Sequence, residues 1–116
     1  MPAIILQTSV KCTDKQKNQL AADLSKICAA ELGKPESYVM AIVQDNSVIY
    51  FGGEAKPAAM VNIKSIGGLN PTINTNLTKS ICDLLMQTLH IAPNNTYLNF
   101  TDIAQHNWGW NGSTFA

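Results

Sequence analysis

The sequence predicts an α/β (α+β) fold in which a duplicated β-α-β unit forms a four-stranded sheet with two helices on one face. Apolar residues recur at helical spacing in two stretches, and each stretch lies between short runs that favour strands. The second apolar series repeats the first after 57 residues, with Leu77 matching Leu20. We therefore expect one domain over residues 1–116, with internal repeats of about 2–57 and 58–116.

The first repeat carries clear start and stop signals for its helix. A capping box at Thr13 predicts the helix start, and Gly33 followed by Pro35 predicts its end. The apolar stripe consists of Leu20, Leu24, Ile27, Cys28 and Leu32. The predicted elements are a strand over 3–6, a helix over about 14–32, a strand over 37–43 and, after a turn at 45–46, a short return strand over 48–51.

The second repeat follows the same order. Asn70 is a predicted cap, with Pro71 at the first helical position, and the glycines of 65–68 suit a tight turn. The helical stripe consists of Leu77, Ile81, Leu84, Leu85 and Leu89. Strands are predicted over 59–63 and 96–100, and the aromatic, Gly-rich tail over 106–116 is expected to form a short edge strand.

One face of the predicted sheet has no helix to cover it. If Leu98 and Phe100 face the helices, Tyr97 and Asn99 must face the other side, because side chains alternate along a strand. An uncovered face of this size is most simply buried against further copies of the chain. We therefore expect an obligate homo-oligomer whose sites lie where subunits meet, with the short strand and the tail adding to the sheet edges of neighbours.

Composition excludes several classes of function. Eight lysines balance eight acidic residues and arginine is absent, which argues against nucleic-acid binding. The chain has no apolar run long enough to span a membrane, and we expect no signal peptide. Three separated cysteines favour a reducing compartment, the cytoplasm, and no Cys or His spacing predicts a metal site. We expect no cofactor.

Pro2 is the first candidate for chemistry. Removal of Met1 would leave Pro2 with a free secondary amine on a buried strand. Apolar surroundings and nearby cations favour the neutral amine, which is the form that a general base needs. The ordinary alternative is that Pro2 is only the residue after the start codon.

Six stretches along the chain form a recognisable series. They are Pro2, Gly33-Lys34-Pro35 before Tyr38-Val39-Met40, Phe51-Gly52-Gly53, Ser65-Ile66-Gly67, Tyr97-Leu98-Asn99-Phe100 and Trp110-Asn111-Gly112-Ser113-Thr114-Phe115. In order and spacing they resemble the macrophage migration inhibitory factor family of the tautomerase superfamily. The resemblance spans the whole chain.

The resemblance implies a homotrimer around a central channel, with pockets at the subunit interfaces that catalyse keto–enol tautomerisation of small aromatic keto acids and dopachrome-like compounds. It implies that Pro2 is the catalytic base. The implied substrate-binding residues are Lys34, Ile66, Trp108, Trp110 and Phe115, together with Tyr97 and Asn99 of a neighbouring subunit. It also implies a cell-surface receptor as partner in animals, and secretion without a signal peptide.

The sequence departs from the family at three places, one of which is Gly67-Gly68-Leu69-Asn70 after Ile66, which leads into the Pro-capped helix. The family's Cys-x-x-Cys would fall near 58–61, where neither cysteine is present, so thiol-oxidoreductase activity is not expected. Trp108 is bulkier than the aliphatic residue often found at its position.

Other interpretations stay open at this level. Lys34 also fits a cation near a helix C-terminus, Tyr97 and Asn99 fit interface polar groups, and the tryptophans fit packing of the tail. Besides an enzyme, the chain could be a cytokine-like protein with a vestigial pocket, or a ferredoxin-like regulatory ligand-binding domain without chemistry.

Overall fold

Two helices of nineteen residues pack on one face of a mixed four-stranded sheet in the computed structural model, which describes all residues Met1–Ala116. The fold class is confirmed. The strands are β1 Pro2–Thr8, β2 Met40–Gln44, β3 Tyr50–Phe51, β4 Glu54–Ala55, β5 Ala59–Ser65, β6 Thr96–Asp102, β7 Gly109–Trp110 and β8 Ser113–Thr114. The helices are α1 Asp14–Leu32 and α2 Pro71–Leu89, with 3-10 turns at Glu36–Tyr38, Pro93–Asn95 and Gln105–Asn107.

The central pair of strands joins the two halves of the chain. The sheet has the order β2-β1-β5-β6, with β1 antiparallel to β5 and each of them parallel to its outer neighbour. β1 and β5, like α1 and α2, begin and end 57 residues apart. Ile5 pairs with Asn62, its own equivalent at this offset, so a local two-fold axis passes between them. Both halves therefore build the same strand–helix–strand unit.

The predicted helix signals are confirmed. The Thr13 side chain accepts from the Gln16 backbone N–H at 3.1 Å, and the Gln16 side chain accepts in return from the Thr13 backbone. Gly33 ends α1 in the left-handed region at φ 62°, which only glycine adopts without strain. Asn70 caps α2 by accepting from the Ile73 N–H at 2.8 Å. These caps satisfy backbone groups that the helix ends leave without intrahelical partners.

The core lies between the helices and the sheet. Both predicted helical stripes face it, although Ile27 and Leu84 are only partly buried. Alternate residues of the central strands complete it. The fully buried members with the largest side chains are Ile4, Leu6, Leu20, Leu24, Ile63, Leu77, Ile81, Leu85 and Ile91.

The opposite face of the sheet has no helix over it. Leu98 and Phe100 pack against the core, whereas Tyr97 and Asn99 are exposed on the other side, as predicted. Tyr97 packs on Phe51 of β3, with 4.9 Å between the ring centroids. Its side chain nevertheless stays 62% exposed.

Three short elements differ from the sequence prediction. The predicted strand over 37–43 was wrong at its start, because Glu36–Tyr38 forms a 3-10 turn and the strand begins at Met40. The predicted strand over 48–51 is limited to Tyr50–Phe51, which pairs with Glu54–Ala55 across two glycines with positive φ. The tail forms a hairpin of its own, β7–β8, with Asn111 and Gly112 at its turn.

The core assignment predicts different responses from two adjacent residues of α2. Leu85→Ala should lower the free energy of unfolding by about 2–5 kcal/mol, because Leu85 is fully buried and its removal leaves a cavity. Met86→Ala is the control, since Met86 is 46% exposed, and it should cost clearly less. Urea unfolding at a fixed protein concentration measures both, and equal losses would contradict the assignment.

Candidate active site

Backbone pairing with β5 holds the start of β1 in the sheet. Pro2 is fully buried and lies opposite Ser65, the last residue of β5. The pairing extends one residue further, because the Ile66 N–H donates to the Met1 carbonyl oxygen at 3.2 Å. With Met1 in place, the Pro2 nitrogen is part of a peptide bond and the free amine belongs to Met1. The chain terminus is therefore held at a defined position beside Ile66.

Lys34 reaches this position from the end of α1. The turn at Gly33 brings the chain out of the helix, and the Lys34 Nζ donates to the Ile66 carbonyl oxygen at 2.7 Å. The Lys34 stem runs past Gly68, where an added Cβ would lie 3.2 Å from Cε, and Gly68 has φ +80°. A larger residue at Gly68 would thus press on Lys34 and strain the backbone.

The terminal amine of Met1 lies close enough to the Lys34 cation for the two to interact. Burial lowers the pKa of the Met1 amine, and the Lys34 cation beside it lowers that pKa further. Lys34 also donates a hydrogen bond that favours the neutral amine, whereas the Cys28 thiolate would raise the pKa. An amine at this end of β1 is thus biased toward the neutral form.

An aromatic slot opens on one side of the terminus. It has a volume of about 290 Å³, and its walls include Tyr38, Trp108 and Trp110, with Pro2 and Met40 also lining it. The Tyr38 ring meets Trp110 edge-on at a centroid distance of 5.8 Å. The Phe115 ring lies nearly parallel to Trp110, also with 5.8 Å between the ring centroids. The slot is apolar and suited to a flat ring.

A smaller depression, which we call the lysine basin, opens beside the slot. It has a volume of about 260 Å³ and is lined by Met1, Lys34, Ile66, Gln105 and Phe115. Met1 lines both the slot and the basin. The chain terminus therefore lies between an aromatic surface and a cation.

Hydrogen bonds at the ends of β5 and β6 hold the turn that carries Ile66. The Ser65 hydroxyl donates to the Gly67 carbonyl oxygen at 2.6 Å, and the Gly67 N–H donates to Asp102 Oδ1 at 2.9 Å. The Ile103 N–H donates to the Ser65 carbonyl oxygen at 2.9 Å. These contacts fix the Ile66 carbonyl that positions Lys34.

Six of the eight residues predicted for the site meet around the terminus. They are Pro2, Lys34, Ile66, Trp108, Trp110 and Phe115. The other two, Tyr97 and Asn99, lie on β6, two strands away from β1. Asn99 pairs with Asn62, which pairs with Ile5, so a single copy of the chain does not bring Asn99 to Pro2.

Tyr38 and Gln105 are among the lining residues that were not predicted from the sequence. Tyr38 was placed in a strand, whereas it lies in the 3-10 turn after Pro35 and forms a wall of the slot. Pro35, which follows the helix stop at Gly33, is a signal that could have indicated this turn. Gln105 begins the 3-10 turn Gln105–Asn107 and lines the basin, and nothing in the sequence marks it.

No other depression on the surface combines the terminal amine with an aromatic wall and a lysine. The largest depression, about 480 Å³, is an open groove on α2 lined mostly by polar residues such as Asn74, Thr78 and Asp83. No three His, Cys, Asp or Glu side chains come together as a metal-binding set. Neither helix is both long and apolar enough to cross a membrane. We therefore place the candidate site at the start of β1.

Cys28 lies in the core behind the site and is fully buried. Burial raises the pKa of its thiol to about 11, which the positive terminal amine partly opposes. Because the folded state holds the thiol proton more tightly than the unfolded chain, stability is present below the ordinary thiol pKa of about 8.5 and is lost as the pH rises toward 11.

This shift predicts a measurable alkaline loss of stability. From about pH 8.5 to pH 10, Cys28 should contribute a fall in the free energy of unfolding of at most about 1.4 kcal/mol per pH unit. Cys28→Ala should show a smaller fall over this interval, although it is less stable at pH 7 because packing is lost. Urea unfolding under reducing conditions at both pH values measures the difference. An identical fall in both proteins would refute this assignment.

Comparison with known proteins shows the family of this chain. The family model described as "Macrophage migration inhibitory factor (MIF)" matches residues 1–116. Macrophage migration inhibitory factor of Xenopus laevis is 37% identical over 116 residues, covering all of both chains. The mouse protein of the same name, from Mus musculus, is 36% identical over the same length.

Solved structures give the same result. The crystal structure of a macrophage migration inhibitory factor homologue from Prochlorococcus marinus has a TM-score of 0.93 at 37% identity, covering 98% of this chain and 99% of the other. A macrophage migration inhibitory factor-like protein from Entamoeba histolytica also reaches 0.93 at 37% identity, covering 97% of each chain. Sequence and structure agree over the full length, and the chain belongs to the macrophage migration inhibitory factor family.

Proposed function

We propose that this protein is a keto–enol tautomerase of small aromatic 2-keto acids, of the phenylpyruvate or dopachrome type, with Pro2 as its general base after removal of Met1. Family membership supports a tautomerase or cytokine function in general. The observation that carries the specific proposal is the position of the terminal amine, whose pKa is lowered by burial and by Lys34. Removal of Met1 shortens the chain by one residue and makes the buried Pro2 nitrogen the terminal amine.

The proposed reaction moves one proton between carbon and oxygen. The neutral Pro2 amine takes a proton from the carbon next to the keto group, and negative charge develops on the keto oxygen. The Lys34 ammonium, held 2.7 Å from the Ile66 carbonyl, can stabilise that charge or bind the substrate carboxylate. The protonated amine then returns its proton to the oxygen to give the enol. No cofactor takes part in this step.

The aromatic slot would hold the ring of the substrate. Tyr38, Trp108 and Trp110 supply flat apolar surface next to Pro2, so a bound ring would exclude water from the amine. A site without water favours the neutral amine. It also strengthens the attraction between the Lys34 ammonium and the negative charge that develops on the keto oxygen. Trp108 also makes the slot narrower than an aliphatic residue would, which favours flat substrates.

We propose that the active form is a homotrimer whose sheets surround a central channel. The uncovered face carries apolar side chains, among them Met40, Ile42 and Tyr97, that a neighbouring copy would bury. Assembly would also bring Tyr97 and Asn99 of one subunit to the Pro2 of another. The reaction site would then be completed only at the subunit interface.

A second candidate function is signalling, with the pocket serving only as a binding surface. The names of the relatives favour it. In that case a cell-surface receptor is the partner, and the protein leaves the cytoplasm without a signal peptide. Receptor binding that survives loss of the Pro2 amine would separate this function from catalysis.

Proteins that differ in which residue carries the free terminal amine test the assignment of Pro2 as the general base. We compare the protein lacking Met1, a Pro2→Gly variant also lacking Met1, and a variant with one alanine inserted before Pro2. In the insertion variant the Pro2 nitrogen is an amide without basicity, so phenylpyruvate tautomerase activity should fall by about 10²–10⁴-fold. Pro2→Gly keeps a primary amine and should retain part of the activity.

Mass spectrometry of each protein confirms its terminus, and circular dichroism confirms that the variants fold. Equal activity in all three proteins would contradict the assignment of Pro2 as the base. Absence of activity from the protein lacking Met1, with its fold intact, would favour the signalling function.

A further inference from the structure

Gln105 is the one side chain of the lysine basin whose polar group has no partner in the protein. Lys34 donates to the Ile66 carbonyl oxygen, and the remaining lining residues, Met1 and Phe115, have apolar side chains. The Gln105 amide takes part in none of the side-chain hydrogen bonds of the chain. Its two N–H donors are therefore free to bind a group that enters the basin.

The charge in the basin indicates the class of that group. Lys34 is the only charged side chain that lines it, and no carboxylate does. One of the three Lys34 N–H donors is used on Ile66 and one on the terminal amine, so one remains for a ligand. A carboxylate has two oxygens that accept hydrogen bonds, and a cation with an adjacent neutral donor can bind both. An ester offers neither the charge nor the second strong acceptor.

The backbone around Gln105 keeps it beside Lys34. The Ile103 N–H donates to the Ser65 carbonyl oxygen at 2.9 Å, which ties the end of β6 to the end of β5. The 3-10 turn is closed by the Asn107 N–H on the Ala104 carbonyl oxygen at 2.9 Å and the Trp108 N–H on the Gln105 carbonyl oxygen at 3.3 Å. Gln105 is thus fixed relative to the strand that pairs with β1.

We infer that Gln105 is a specificity-determining residue that, together with Lys34, binds the carboxylate of the substrate and makes the site select free acids over their esters. This inference rests on the function proposed for the same site. The Lys34 ammonium supplies the charge, and the Gln105 amide supplies a directional hydrogen bond to the second oxygen. The ring of the same molecule would then extend into the aromatic slot.

The direct test measures binding without turnover. The probes are 3-phenylpropanoate and its methyl ester, which lack the keto group, and the signal is the fluorescence of the two tryptophans, Trp108 and Trp110, that line the slot. The proteins, all lacking Met1, are the wild type, Gln105→Ala, Gln105→Glu and a control, His106→Ala. His106 is exposed in the same 3-10 turn and lines neither depression.

The wild type should bind the acid more tightly than the ester. Gln105→Ala should raise the Kd of the acid about fivefold, the size of one lost hydrogen bond. Gln105→Glu should raise it at least about tenfold, because it adds a like charge beside the carboxylate. The Kd of the ester should change less than about twofold in every variant, and His106→Ala should match the wild type. Equal weakening of acid and ester, no change for the acid, or a wild type that does not prefer the acid would overturn the inference.

Kinetics separate this inference from the function on which it rests. With phenylpyruvate and its methyl ester, Gln105→Ala should raise KM for the acid and leave kcat and the ester KM within about twofold. If the wild type lacking Met1 binds 3-phenylpropanoate with the predicted Gln105 dependence but turns over neither keto compound, the tautomerase proposal fails and acid selectivity stands. If it turns over both and Gln105→Ala affects them equally, the inference about Gln105 fails and the tautomerase proposal stands.

Discussion

The antiparallel pairing of β1 with β5 is the interaction on which the rest of this structure depends. It joins the two halves of the chain at the local two-fold axis between Ile5 and Asn62. The same ladder places Pro2 opposite Ser65 and leads directly to the bond between the Ile66 N–H and the Met1 carbonyl. A slip of one residue in this register would turn Ile4 and Leu6 out of the core and move the terminus away from Lys34.

The electrostatics of the site follow from this pairing. Ile66 uses both of its backbone groups there, since its N–H holds Met1 and its carbonyl holds Lys34. One residue thus brings an amine and an ammonium group together. Burial lowers the pKa of the terminal amine, and repulsion from the Lys34 cation lowers it further. The arrangement therefore biases the amine toward the neutral form that the proposed reaction needs.

The sequence predicted the regular elements well because their signals are local. The capping box at Thr13, the stop at Gly33 and the Asn70 cap each act within one helical turn, and alternation on β6 correctly placed Tyr97 and Asn99 on the uncovered face. Six of the candidate site residues do converge. Tyr38 and Gln105 were missed because each lies in a 3-10 turn, where position depends on contacts with distant strands rather than on a repeating pattern.

The central claim is that an amine at Pro2 has a lowered pKa because it is buried beside Lys34. ¹⁵N NMR titration of the protein lacking Met1, with labelled proline, measures this directly, because only Pro2 would then carry a secondary amine. We predict a midpoint below the range of about 7.7–8.0 that is usual for α-amino groups, and a higher midpoint in Lys34→Met but not in the remote control Lys79→Met. A midpoint within or above that range, or one that Lys34→Met leaves unchanged, would contradict the account.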